Sequence, residues 1–580
     1  SSRGRRIANI SAEILVLLDG RRLEDPAGSG AAEIIPRFPL VQVARVEFIR
    51  GPGAAVYGSN AMMGVINIIS RNGVNEAGVS YGSFNRRLGY LLSSHKWNAL
   101  QLDVFAHGEV DDGADFRLLD TQDINVNDSH IDSDDPVELA HLSTKFSWQN
   151  TRAELHHTQY AAQNFYSVNS VSNGFNEYAT SLSSISLQQQ FQWGSLSSNV
   201  WLSYSLIKAE LSGQLSPAGA FNDVTLSNPV SDEAFFAIAN YDDSSETRWR
   251  WHNDWQRHES SSLQFGMELR YIYNAGGIVS NNFDLGELVT GSFPISYYGS
   301  LQPTTVVVTP SSREVIGLYA QYQQRLFEQT RLTMGLRFDR FSGIGSRVNP
   351  RLALVQQLNP QHTLKLLYGE AFRAPAEFEL NTVNNPFLVS NPGLKPETVQ
   401  TWELIWLGQW QDTGLSLGYF ENRFKNAIAL LNMNGLGVFS NTRLEPSKGF
   451  ELELSHQLNQ QWQLHGTYTH LTQTPDLAFS EATKLASFMV NYQLAEMNLN
   501  LIASYAGSRE LSVNGERSGL DGYWQVFTQL NYHFNKELQG FVEVKNLLDD
   551  NYRTPTDVSS LSEGIPNRGR EILTGLNWTF

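Results

Sequence analysis

The chain contains no cysteine in 580 residues, so neither a disulfide framework nor a thiolate metal site is open to it. It also lacks any run of about 18 consecutive apolar residues, which excludes a helical membrane span. Its longest candidate, Ala61 to Ile69, is interrupted by Asn67. Basic charge is scarce. The 42 Lys and Arg face 59 Asp and Glu, a net charge of −17, and no basic stripe offers itself to nucleic acid. No leader is visible at Ser1, so the sequence reads as a mature form or a fragment. Neither a His-Glu-x-x-His helix motif nor a phosphate-cradling loop occurs, and no catalytic constellation stands out. Pro/Ser-rich linkers, charge blocks and low-complexity tracts are missing too, which argues for one or two large units.

What is present, from about Gly78 onward, is alternation. Trp524, Val526, Thr528, Leu530, Tyr532 and Phe534 interleave with Gln525, Phe527, Gln529, Asn531 and His533. Phe450, Leu452 and Leu454 interleave with Glu451, Glu453 and Ser455, and Trp402, Leu404 and Trp406 less cleanly with Glu403, Ile405 and Leu407. One apolar and one polar face is what a strand between lipid and a wet lumen requires. A soluble antiparallel sandwich has the same period. Two details favour a barrel: aromatics gather near strand ends, and short turns (Gln149-Asn150, Gln460-Gln461, Asn535-Lys536) alternate with long loops. The loops predicted to face outward are 111–137, 165–182, 211–245, 278–311, 376–398 and 432–442. Counting from Val79–Phe84 to Ile572–Phe580 gives about 22 strands, the even number a closed bacterial barrel needs. The last strand alternates as Ile572, Thr574, Leu576, Trp578 and Phe580, ending on an aromatic.

Near the start, Ile49-Arg50-Gly51-Pro52-Gly53-Ala54-Ala55-Val56-Tyr57-Gly58 leads into Gly64-Val65-Ile66-Asn67-Ile68-Ile69. Small residues there allow close backbone approach, and the glycines permit φ > 0. The wording resembles the plug domain of TonB-dependent outer-membrane receptors. Glu13 to Leu23, Phe372-Arg373-Ala374-Pro375, Asn391-Pro392-Gly393-Leu394-Lys395-Pro396-Glu397 and Val544 to Tyr552 are similar to further segments of that family, in the same order. The resemblance implies an all-β fold: a 22-stranded antiparallel transmembrane β-barrel over 74–580, with a partial plug over 1–73 in its lumen. It implies a receptor in the bacterial outer membrane that binds a scarce, bulky ligand outside and imports it with energy from the TonB complex. A ferric siderophore is the first expectation for that ligand, with vitamin B12 or haem as alternatives. Outside the class stand a passive pore and an outer-membrane enzyme or adhesin. Lipid and LPS, TonB, a metal chelate or vitamin, and phage or colicin are the implied partners; no covalent chemistry is expected. Because Ser1-Ser2-Arg3-Gly4 is similar to the middle of a plug, the energy-coupling segment is expected to lie outside this sequence.

Alternation turns Glu403 and Glu451 toward the lumen, where a carboxylate needs a cation. Arg3 and Arg50 are the plug's candidates, and the resemblance pairs such arginines with such glutamates; four separately solvated side chains are the alternative. Between Asp111 and Asp135 nine Asp meet one basic residue, Arg117. Asp120, Asp123, Asp128 and Asp132 could hold Ca²⁺ there, although a solvated acidic loop is the favoured reading. No other cofactor is expected. Positions 376–390 hold no histidine, which weighs against haem. His156 and His157 are adjacent, so on a strand they face opposite ways. For the ligand, Asp25, Ser29 and Glu33 at the plug apex and the loop rings Tyr166, Phe236, Tyr298 and Phe387 are candidates. Packing of those rings against one another is the competing expectation.

Overall fold

The alternation closes into an antiparallel wall in the computed structural model. It describes every residue except 1–2, 4–12, 26–27, 29, 32–34, 36–37, 120–129, 166, 168–170, 217–233, 285, 288–291, 293–294, 386–387, 434–435, 514 and 557–560. The first wall strand, Glu76–Gly82, pairs with Arg87–Trp97 on one side and with the last, Glu571–Thr579, on the other, so no edge remains open. The ring holds 22 strands. The hairpin Gly277–Phe283/Tyr297–Val308 does not widen it, because the wall pairs Phe235–His258 directly to Ser261–Asn274 and that strand to Ser311–Phe327.

Inner and outer faces follow the pattern of the residues. Along Val137–Trp148, Leu139, His141, Ser143 and Lys145 are buried while Leu142, Phe146 and Trp148 are exposed. Trp97, Trp148, Trp193 and Trp578 stand exposed beside the short turns, as an aromatic band at one membrane interface would. Gly414-Leu415-Ser416-Leu417-Gly418 has the lettering of a nucleophile elbow but runs straight through the wall strand Thr413–Lys425, with no turn to present the serine.

Several predicted loop limits need correction. Glu177–Trp193, Leu196–Ser216 and Phe235–His258 run for 17, 21 and 24 residues, so 177–182, 211–216 and 235–245 belong to the wall and not to the loops. Most of 432–442 belongs to the hairpin Ala427–Met433/Leu436–Thr442. A span of the bilayer takes only about 10 residues. Beyond the lipid the outward face no longer has to be apolar, so the alternation fades while the hydrogen-bonded ladder continues.

Inside the wall sits a small sheet of β1 (Ile14–Leu18), β2 (Arg21–Arg22), β3 (Val43–Arg50) and β4 (Gly64–Ser70), ordered β2-β1-β4-β3 with β1 parallel to β4. Both faces of β1 are covered, which is why it reads as an unbroken apolar run. Val16 and Leu18 pack with Leu23, Ile68, Phe38 and the wall's Leu182, and Leu15 and Leu17 with Ala61, Val65, Ile49 and Tyr57. Between β3 and β4 a single helical turn, α1 (Ala54–Tyr57), is bracketed by Gly51 (φ 72°) and Gly58 (φ 84°). Both glycines are needed for space as well as for φ. A Cβ on Gly51 would overlap the Glu403 carboxylate, and one on Gly58 would lie 2.7 Å from Arg337 Nη2.

Candidate functional site

Charged residues in and around this inner sheet meet the wall in three places. At the first, Arg3 Nη1 donates to Glu403 at 2.7 Å, while its Nε and Nη2 grip Glu451 at 2.9 and 2.8 Å. The guanidinium also lies 4.5 Å over the Phe420 ring, and the Ser447 hydroxyl donates to the Arg3 carbonyl. Burial by itself would weaken the charged form of Arg3, but Glu403 and Glu451 outweigh it and raise its pKa above the ordinary guanidinium value. Arg50 joins this group at its exposed edge. Its Nη2 is 2.5 Å from Glu453 and its Nη1 4.0 Å from Glu451, and its side chain is 39% exposed. Glu453 was not anticipated as a partner, although it shares the inward face of Glu451 two residues on.

The second contact is larger, and sequence reasoning missed it. Arg22 donates to the carbonyls of Tyr57 and Ser59 at 2.6 and 3.0 Å and pairs with Glu24 at 3.0 Å. Facing it, the wall carries Arg248–Glu268 at 3.0 Å, Arg337–Glu268 at 3.1 Å, Arg337–Asp339 at 2.8 Å and Arg270–Glu246 at 2.5 Å. Arg337 reaches the Val56 carbonyl at 3.4 Å and Arg270 the Ser59 hydroxyl at 3.5 Å, so the α1 turn is held by wall arginines. The signal that could have revealed it is the spacing: Glu246-x-Arg248, Glu268-x-Arg270 and Arg337-x-Asp339 each put opposite charges on one strand face.

At the third contact, Asp19 in the turn after β1 accepts from Lys145 at 2.7 Å and from Ser70 Oγ at 2.6 Å, with Arg152 at 3.5 Å. Burial pushes the Asp19 carboxyl up, but Lys145 and Ser70 prevail and hold it below the usual carboxylate range. Above Lys145 on the same inward face stand His141, His107 and His156, all buried, whereas His157 faces out. These histidines, scattered in sequence, are brought together by strand register. Among the described residues no three His, Asp or Glu side chains converge as a metal site. One side-chain row further out, Glu109, Leu139, Tyr160 and Thr180 line a cavity of about 850 Å³.

The predicted ligand-binding and calcium residues are not gathered in this way. Ser29, Glu33, Tyr166, Phe387, Asp120, Asp123 and Asp128 lie outside the described residues. Asp132 is exposed, opposite Arg117 in a short hairpin. Nearby Asp111 and Asp135 are engaged by Arg568 at 2.8 and 2.7 Å, which ties the base of the acidic loop to the end of the wall. Phe236, at the outer end of the wall strand Phe235–His258, stacks on Phe175 at 3.8 Å, and the exposed Tyr298 donates to Asp284 at 3.1 Å. Among the described residues no ring contact or hydrogen bond joins Asp25, Phe236 and Tyr298.

Comparison with known proteins agrees with this arrangement. Residues 120–547 match the family model described as TonB dependent receptor-like, beta-barrel, and residues 2–65 match the TonB-dependent Receptor Plug Domain. The vitamin B12 transporter BtuB of Vibrio cholerae is 23% identical over 98% of this chain and 84% of its own length. Among solved structures, the ferric enterobactin receptor of Pseudomonas aeruginosa superposes with a TM-score of 0.74 at 20% identity, covering 100% of this chain and 91% of that one. The FpvAI–pyocin S2 complex gives a TM-score of 0.73 at 15% identity, over 100% of this chain and 79% of that one.

Proposed function

The chain belongs to the TonB-dependent receptor family of bacterial outer-membrane receptors and transporters, and from that premise we propose that it imports a ferric siderophore. The observation that carries active import is the inner sheet itself: it fills the closed wall and is fastened to it by ion pairs that must be broken for anything bulky to pass. A passive pore has no use for such a fastening. The cavity of about 850 Å³ at the outward end of the lumen is large enough to admit a substantial part of a metal chelate. Likeness to a ferric enterobactin receptor supports the siderophore reading. Vitamin B12 is the second reading, favoured by the sequence relationship to BtuB along nearly the whole chain. Energy would come from the TonB complex, as in the family, and the likeness to a receptor–pyocin complex supports a bacteriocin as a further partner.

The test is a binding screen of purified protein against ferric catecholates, ferric hydroxamates, cobalamin and haem, read by quenching of its 13 Trp. A ferric siderophore is expected to bind tightly and the others weakly. Tight binding of cobalamin alone would replace the first reading by the second. Large, steady conductance in planar bilayers would refute both.

A further inference from the structure

Arg21 of β2 is only 4% exposed, yet no hydrogen bond or ion pair engages it among the described residues, and its Nε is fully enclosed. An enclosed guanidinium without a partner is costly to keep. The carboxylates within its electrostatic reach, Asp19 and Glu154, are already committed. Asp19 serves Lys145 and Arg152, and Glu154 serves Arg152 and, at 3.3 Å, His156. Across from the turn that carries Arg21, the wall shows a matching deficit. His107 Nδ1 and Nε2, His141 Nε2, His156 Nδ1 and Ser184 Oγ are all enclosed without a hydrogen-bond partner. His107 Nε2 comes within 3.4 Å of Glu109 but not in hydrogen-bonding geometry. Register collects these atoms: His107 is paired with His141, and His156 with Ser184. Phe38 touches His141 edge-on at 6.2 Å and Leu182 packs into the inner sheet's core, so this patch of wall lies against the plug.

We propose that this seam between the Asp19–Arg22 turn and the wall is a site for an oxyanion, with Arg21 as its charge partner and His141 Nε2 and Ser184 Oγ as hydrogen-bond donors. The chemistry selects an anion. A guanidinium fork suits a carboxylate or similar oxygen pair, and imidazole N–H and serine O–H add donors around it. A metal cation would be repelled by Arg21 and Lys145. The seam lies one side-chain row below the large cavity, where the anionic oxygens of a ligand moving inward would pass. Only that last identification of the occupant rests on the import reading; a free inorganic oxyanion would use the same donors.

Sulfate, which keeps its charge at all working pH values, is the first probe, titrated calorimetrically into the purified full chain in detergent at constant ionic strength. One saturable site is expected, weakened by about ten- to a hundredfold in Arg21→Gln, as loss of charge-assisted hydrogen bonds implies. Arg21→Lys should fall between, Ser184→Ala should lose less, and His157→Ala, on the opposite strand face, should not change. In the second arm, cells are assayed for uptake of a ferric tricatecholate. Unbound sulfate together with uptake lost in Arg21→Gln, at unchanged affinity for the outer surface, would also support the site and assign it to the cargo. If the tricatecholate does not bind the wild type, the siderophore reading fails and the sulfate arm decides the site alone. The proposal is overturned if Arg21→Gln, shown folded by heat-modifiable mobility, alters neither sulfate binding nor uptake.

Discussion

Replacing Arg3 by Gln should loosen the plug far more than replacing Arg50 by Gln, although both arginines reach wall glutamates from inside the barrel. Arg3 is 5% exposed at its side chain, with Glu403 at 4% and Glu451 at 17%, and it makes three hydrogen bonds to them. Its loss leaves two enclosed carboxylates facing each other, and breaking one side of a buried pair costs about 3–5 kcal/mol. Arg50 and Glu453 are 39% and 35% exposed, so solvent screens that pair to about 0–1 kcal/mol. The quantity to measure is the opening free energy of β1 and β4 amides, by hydrogen exchange with mass spectrometry on protein in detergent. Arg3→Gln should speed exchange there by roughly a hundred- to several-thousandfold, Arg50→Gln by less than about fivefold, and neither should move the wall strands. The neutral triple replacement Arg3→Gln, Glu403→Gln, Glu451→Gln should regain most of the loss, since the penalty lies in the unpaired charge. Equal effects of Arg3→Gln and Arg50→Gln, or a triple variant worse than the single, would refute the reasoning.

Gly51→Ala should destabilise the plug by about 1–3 kcal/mol, because it forces a Cβ into positive φ and into the space of Glu403; thermal scanning of the plug transition would show it, and a neutral result would mean Glu403 has room to swing away. Acid should act through Asp19, whose pKa is depressed in the folded state. The stability it contributes is complete above its unfolded value of about 3.9 and is lost as pH falls from there through the folded value. Plug exchange measured from pH 6 to about 2.5 should therefore steepen below about pH 4 in the wild type and less in Asp19→Asn, an unchanged steepening being evidence against the role of Asp19.

Much of the fold was legible because the membrane makes it so. A strand with lipid on one side and water on the other has to alternate, and Phe450/Glu451/Leu452/Glu453 can be read at sight. Legibility stopped where that constraint stopped. Beyond the bilayer, Leu196–Ser216 and Phe235–His258 go on pairing with nothing to enforce the pattern, so their outer ends, 211–216 and 235–245, read as loop. The site divides in the same way. Alternation turns Glu403 and Glu451 inward, and it does the same for Glu453, Glu268 and Asp339. What it cannot supply is the position of each strand around the ring, and hence which inward carboxylate meets which plug arginine. The imidazoles of His107, His141 and His156 belong to this class: each is readable as inward, but only register makes them neighbours.

The distribution of these contacts bears on how the plug can be moved. Toward strands Phe235–His258, Ser261–Asn274 and Thr330–Phe341 the α1 turn is held by a network in which almost every charge has a partner. Toward Leu100–Asp111, Val137–Trp148 and Thr151–Gln163 the inner sheet is held chiefly through Asp19, beside a patch of enclosed polar atoms without partners. Arg3 precedes Asp19 and Arg22 in the chain, so a pull from the N-terminal side would load the Arg3–Glu403–Glu451 contact before either of the others. Contacts loaded in series fail one at a time, each at a few kcal/mol, whereas contacts loaded together would have to fail at their sum. Once the first has opened, the next to yield should be the one with fewest charge-assisted bonds, the Asp19–Lys145 contact. The plug would then part from the wall on the side where the large cavity and the unpartnered imidazole and hydroxyl atoms already lie, and the more fully paired side would act as the hinge.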